Sequence, residues 1–204
     1  MKRRIGLIAV QCLVFLVLYY LTASVAAARN IQIPWRLIPL DEKIPFLPVF
    51  VWVYMSAYLL GSAGICLAVW RMDDKGFKTV LTTCYINLIL FSFFHLVFPR
   101  VAIKPEVDTS YTSGMAMMVI QWLTTKYNTF PSAHVSYSLI TAWAAMVSYS
   151  KNKILSSILI IDAIAVIAST MLIKEHTVLD VFGGWGVALV SITIARHVRC
   201  GDGQ

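Results

Sequence analysis

Charge is scarce in this chain. Asp, Glu, Lys and Arg make up 13% of its 204 residues, about half the share found in soluble domains. That scarcity excludes an ordinary water-exposed globule. Paired cysteines are lacking as well: Cys12, Cys66, Cys84 and Cys200 show neither a disulfide framework nor zinc-ligand spacing. No internal repeat or low-complexity segment interrupts the chain, so residues 1–204 read as one membrane domain.

Apolar residues are abundant, at 59% of the chain with a mean hydropathy of +0.75. A bilayer core of roughly 30 Å needs about 20 apolar residues per helix. Runs of that kind fall near 5–27, 48–70, 79–99, 132–150, 154–173 and 177–195. The expected fold is therefore an all-α integral membrane protein, a six-transmembrane-helix bundle. The start MKRR, followed by the apolar run 5–21 and the alanines 26–28, imitates a secretory signal. The run exceeds a signal core and is read as a retained first span. A cleaved leader would leave residues 29–47 outside all the same.

With a cytoplasmic N-terminus, the inner segments hold Lys2, Arg3, Arg4, Arg71, Lys75, Lys78, Lys151, Lys153, Arg196 and Arg199, ten of the 17 basic residues. This bias predicts that both termini are cytoplasmic. The net charge of +7 is then loop charge that meets lipid headgroups, rather than a nucleic-acid surface. The outer loop RNIQIPWRLIPLDEKIPFLP is expected along the interface with Trp35 as an anchor. Residues 115–123 (MAMMVIQWL) are too short to span and read as an interfacial or re-entrant helix that caps what lies beneath.

Odd-numbered spans end outside and even-numbered ones begin there. Three polar groups consequently map to one surface: Arg100 with Lys104, Ser132 with His134, and Lys174, His176 and Asp180. Pro131 suits the first turn of a helix, with Asn128 or Thr129 near the cap. The N–H groups of Ser132, Ala133 and His134 would then be free at a positive helix end, which binds phosphate or carboxylate. A plain capped helix with an interfacial histidine accounts for PSAH equally well. His176 and Asp180 are four residues apart and share a helix face. A carboxylate on one imidazole nitrogen leaves the other as a nucleophile or base. A structural His–Asp pair fits the same spacing, as does a metal site of His134, His176 and Asp180. The adjacent cations favour an anion over a metal.

In this topology the order basic pair, PSAH (131–134) and STMLIKEHTVLD (169–180) resembles the type 2 phosphatidic acid phosphatase superfamily, whose motifs are K-x6-R-P, P-S-x-H and S-R-x5-H-x3-D. Ser169, His176 and Asp180 are in register, and the match spans 98–184. Two positions depart from the pattern. Thr170 replaces the third motif's Arg, and Val97 stands where the first motif's leading Lys would be, leaving Lys104-Pro105. Lys174 and Arg100, each one helical turn away, are expected to substitute for the missing cations. HTVLDV also looks like the branch containing sphingomyelin and inositol phosphorylceramide synthases.

The resemblance implies His176 as the nucleophile that forms a phosphohistidine, Asp180 as its orienting group, and His134 as general acid and base. Arg100, Lys104, Lys174, Ser132 and the Ala133 amide would hold the phosphoryl oxygens, with no metal and no cofactor. The expected activity is hydrolysis of a lipid phosphomonoester or diphosphate at the extracytoplasmic or lumenal face. Headgroup transfer to a lipid alcohol is the alternative, and a non-enzymatic scaffold or transporter of anionic lipid is a third. Asp162, well inside its expected span, is read as a neutral carboxyl bonded to Ser or Thr between helices, and His95 as lying too far from it in depth to pair. Gly183, Gly184 and Gly186 are read as permitting close helix packing.

Overall fold

The fold is described from a computed structural model over residues 2–30, 38–61, 70–102, 104–148 and 153–201. Expectations for Trp35 and Cys66 lie outside these residues. Every regular element described is helical: α1 (Lys2–Ala28), α2 (Pro39–Lys43), a 3-10 turn (Pro48–Phe50) leading into α3 (Val51–Ser56) and a π turn (Ala57–Gly61), then α4 (Asp74–Val97), α5 (Thr112–Leu123), α6 (Ala133–Ser148), α7 (Lys153–Leu172) and α8 (Val178–Gly201). Four helices are long and apolar enough to cross a membrane: α1, α4, α7 and the stretch Val178–Val198 of α8. The other two expected spans, 48–70 and 132–150, are helical where described but shorter than a crossing needs there.

Local chemistry sets the helix boundaries. Asp73 caps α4, accepting the Gly76 N–H at 2.7 Å, and Pro99 follows the helix's end. Ser132 caps α6 through its hydroxyl, which accepts the Val135 N–H at 3.3 Å. At the start of α8, Asp180 Oδ2 accepts the Thr177 N–H at 2.8 Å while Thr177 Oγ1 accepts the Asp180 N–H at 3.4 Å, a capping box.

The elements alternate in direction. Arg4 donates to the Met72 carbonyl at 2.7 Å and pairs with Asp74, so α1 and α4 start at one end of the bundle. At the other end Arg29 reaches the Leu96 carbonyl at 3.3 Å. That second end also holds the start of α6, the end of α7 and the start of α8, joined by a bond from the Ser132 N–H to the Asp180 carbonyl at 3.1 Å. One core runs between α4, α6, α7 and α8 through Phe77, Val80, Ile140, Ala144, Leu159 and Ala188. Its small residues let the helices approach closely. Large apolar side chains such as Leu13, Ile89, Ile161 and Phe182 face outward, as a lipid-facing surface requires. Asp162 accepts from Ser56 Oγ at 2.6 Å, joining α3 to α7 in the hydroxyl–carboxyl partnership expected for it.

Close packing of α8 on the start of α6 depends on two glycines. A Cβ on Gly183 would lie 2.5 Å from the Phe130 ring, and one on Gly184 2.7 Å from the Ser132 carbonyl oxygen. Gly186 corrects the expectation made for all three: nothing lies within 4 Å of its Cβ position. The short helix α5 forms as expected from MAMMVIQWL. Met117 and Ile120 are buried against Val51, Tyr54 and Ile173, while Trp122 is exposed.

Candidate active site

A cavity of about 590 Å³ opens among α1, α3, α4 and α6. Its head is polar, with Lys104, Thr124, Asn128, His134, Glu175 and His176; its depth is apolar, with Ile8, Phe15, Leu16, Phe77 and Val80. From Tyr20 to Ile8 the lining follows α1 for roughly 18 Å at 1.5 Å per residue. One acyl chain fits that shape.

The two histidines meet at the polar head. Their ring centroids are 6.0 Å apart, a spacing at which one phosphoryl group can touch both imidazoles. His176 Nδ1 lies 3.1 Å from the Thr129 carbonyl. A carbonyl can only accept, so Nδ1 carries the proton and a neutral ring keeps its lone pair on Nε2. Asp180 Oδ2 is 3.7 Å from the same Nδ1. The tautomer expected from Asp180 is therefore held by the Thr129 carbonyl, while the carboxylate caps α8 and adds a negative charge beside the ring.

His134 sits between two phenols. Tyr54 Oη is 3.2 Å from Nδ1 and Tyr58 Oη 3.0 Å from Nε2. A phenol hydroxyl can donate or accept, so both nitrogens keep a partner whether the ring holds one proton or two. Tyr54 is fully buried whereas Tyr58 is about half exposed, at 48%. Tyr58 is thus the partner an incoming oxygen can replace.

Of the five residues expected to hold phosphate, Lys104 and Ala133 line the cavity; Ser132, Arg100 and Lys174 do not. Ser132 is fully buried with its N–H and hydroxyl both used at the joint between α6 and α8. That joint corrects the expectation of a free Ser132 N–H: Ser132, rather than Asn128 or Thr129, is the cap, and Pro131 precedes the helix. Arg100 stacks its guanidinium 5.8 Å from the Phe130 ring centroid. Lys174 was expected one helical turn beyond Thr170 on the same face, but α7 ends at Leu172 and Lys174 adopts a left-handed φ of 58°. Its ammonium donates to the carbonyls of Asp41 at 2.8 Å and Ile44 at 2.5 Å.

That contact belongs to a clamp with no motif in the sequence. Asp41 is buried, and its Oδ1 accepts the Val178 N–H at 2.8 Å while its Oδ2 accepts the Ile38 N–H at 2.9 Å. Leu47 N donates to the Leu172 carbonyl at 2.8 Å. The segment around α2 therefore grips the turn carrying His176 on both sides. Thr170, which stands where the third motif has Arg, shapes the same turn: its carbonyl accepts the N–H groups of Glu175 and His176, each at 3.1 Å. The only signal for Asp41 in the sequence is an acid in a Pro-rich segment.

Lys104 donates to the carbonyls of Gln121 and Thr124, both at 3.1 Å, and to the Thr124 hydroxyl. It also pairs with Glu175 Oε2 at 3.8 Å. Burial holds the ammonium below its ordinary pKa, and the Glu175 carboxylate opposes that shift. Among the described residues no group of three or more His, Cys, Asp or Glu side chains is arranged to hold a metal ion.

Comparison with known proteins adds one finding. A family model described as the PAP2 superfamily matches residues 22–194, well beyond the 98–184 that carry the motifs. No curated protein and no solved structure matches the chain.

Proposed function

This chain belongs to the PAP2 superfamily, and from that premise we propose that it is a membrane lipid-phosphate phosphatase working through a phosphohistidine. The observation that carries the reading is the His134–His176 pair at the polar head of one cavity, with His176 Nδ1 committed to a carbonyl. Family membership by itself supports the coarser activity, a phosphatase or phosphotransferase acting on lipid phosphoesters.

The lipid's chain enters the apolar depth and its phosphate reaches the two imidazoles. His176 Nε2 forms a bond to phosphorus as the ester P–O bond breaks. The leaving alkoxide takes a proton from His134 at the position Tyr58 occupies in the free protein. His134 then removes a proton from water, whose oxygen attacks phosphorus, and the P–N bond breaks to restore His176. Asp180 Oδ2, 3.7 Å from Nδ1, stabilises the positive ring of the intermediate. His134 has phenols rather than a carboxylate as partners, so the bound phosphate supplies the counter-charge for its imidazolium. The site is assigned to the extracytoplasmic or lumenal face of a six-span bundle with cytoplasmic termini, on the distribution of basic residues.

Headgroup transfer to a lipid alcohol shares each step up to the intermediate. It is favoured by the Lys104–Glu175 pair, which leaves the cavity head little net positive charge for a phosphate dianion.

The test is phosphate release from a panel of lipid phosphates by purified protein with chelator present, comparing wild type with His176→Ala. Chelator-resistant release abolished by the substitution supports the hydrolase, and its rate follows a bell-shaped pH profile because the two histidines need opposite protonation states. Conversion of one lipid to another without phosphate release moves the assignment to transfer. Binding with no chemistry in either assay leaves a scaffold or transporter.

A further inference from the structure

Among the described residues lining the cavity, Lys104 and Glu175 are the two that carry formal charge apart from the histidines. The cations expected there, Arg100 and Lys174, are spent on a ring and on carbonyls. Glu175 is 6% exposed, yet just one of its oxygens is well served. Oε2 accepts from the Thr124 hydroxyl at 3.1 Å and faces Lys104 at 3.8 Å. Oε1 is buried with no hydrogen-bond partner. Its negative charge is therefore offset by one ammonium, which is itself drawn off by two carbonyls and a hydroxyl. A site built to hold a dianion would face it with net positive charge; this one has one cation matched by one anion.

We propose that Glu175 is a specificity-determining residue that sets the charge the cavity accepts, favouring singly charged phosphate diesters over doubly charged phosphate monoesters. The inference rests on the assignment of this cavity as the lipid-phosphoester site, and within that assignment it favours headgroup transfer from a diester over release of phosphate from a monoester. The physical basis is the second charge of a monoester above its second pKa of about 6. The Lys104 ammonium cancels most of the effect of Glu175 on that charge, so the pair leaves the larger desolvation cost of a dianion without compensation; taken alone, the carboxylate at roughly 7 Å and an effective dielectric of about 20 is worth at least about tenfold in affinity, which is the change its neutralisation produces. Glu175→Gln removes the charge, keeps an acceptor for the Thr124 hydroxyl, and frees Lys104 to meet phosphate.

Equilibrium binding separates this from the chemistry. Short-chain phosphatidate and phosphatidylmethanol, a monoester and a diester with matched acyl chains, are titrated at about pH 8 into His176→Ala and into His176→Ala/Glu175→Gln. The first variant is expected to bind the diester more tightly, and Glu175→Gln to shift the affinity ratio toward the monoester by at least about tenfold. Glu175→Asp in the same background keeps the preference. Equal affinities in His176→Ala, binding of neither lipid, or a preference unmoved by Glu175→Gln in a protein of unchanged Tm would each overturn the proposal. Turnover by wild type and His176→Ala tests the assigned chemistry on its own: full activity in His176→Ala removes the phosphohistidine whatever the binding ratio, and a dead His176→Ala with an unmoved ratio removes only the role of Glu175.

Discussion

Replacing Gly184 with alanine places a methyl carbon 2.7 Å from the Ser132 carbonyl oxygen and 2.9 Å from Val135 Cβ. Carbon–oxygen contacts settle at about 3.3 Å or more, so the start of α6 must retreat from α8 by roughly 0.6 Å. The obstructing oxygen belongs to the backbone, and no side-chain rotation relieves it. Both histidines ride on this joint, because the Ser132 N–H is bonded to the Asp180 carbonyl and His176 to the Thr129 carbonyl. Overpacking of this kind costs about 1–3 kcal/mol, and a 1 Å error in catalytic geometry costs about a hundredfold. Gly184→Ala is accordingly expected to lower Tm by several degrees and turnover by roughly tenfold. Gly186→Ala is the control: its methyl group meets nothing within 4 Å, so turnover stays at the wild-type level. Wild-type Tm and turnover in Gly184→Ala, or an equal loss in both variants, would refute the claim that this contact sets the site.

Three further outcomes follow from the geometry. Asp180→Asn keeps an acceptor for the Thr177 N–H but removes a charge near His176, so Tm is held while turnover falls by about a hundredfold or more; Asp180→Ala also loses about 1 kcal/mol of capping, and an unchanged rate in Asp180→Asn would exclude its electrostatic role. Asp41→Ala and Lys174→Met release the clamp on the His176 turn and are expected to lower kcat with KM little changed, because neither residue lines the cavity; a raised KM at constant kcat for Lys174→Met would return Lys174 to the phosphate. Lys104 is held below its ordinary pKa of 10.5 by burial, so between the folded and unfolded values the unfolded chain binds more protons and stability rises with pH, levelling off above 10.5. Lys104→Gln should flatten that part of a Tm-against-pH curve, and an unchanged slope would show that another group causes it.

The two histidine-bearing helix starts of the candidate site were legible from short-range chemistry. PSAH and HTVLD mark two helix starts, but the caps themselves came from the structure: Ser132 caps α6 where Asn128 or Thr129 was expected, and Thr177 with Asp180 forms a capping box at α8. The alternation of apolar runs brought those starts to one end of the bundle before any contact was known. The same local reasoning failed for Lys174, because the helical register that put it on the face of Thr170 ends at Leu172. Nothing in MLIKEH signals that a lysine will take a left-handed φ, since the carbonyls of Asp41 and Ile44 that receive its ammonium come from more than 100 residues away.

By itself the sequence determined that the chain is helical and apolar enough for a membrane, and that a Pro-Ser-x-His and a His-x-x-x-Asp element share one end. These follow from composition and from periodicities within one helix. Tertiary structure alone decided which cations face the cavity, because an ammonium or guanidinium goes to whichever carbonyl, ring or carboxylate packing brings within its reach. It likewise decided that Tyr54, Tyr58 and Glu175 line the cavity and that Asp41 holds the turn beside it; of these four, Glu175 alone lies within the motif-bearing region. Tyr54, Tyr58 and Asp41 come from the half of the chain that has no motif, and pairing across the bundle is a property of helix packing that no local pattern encodes.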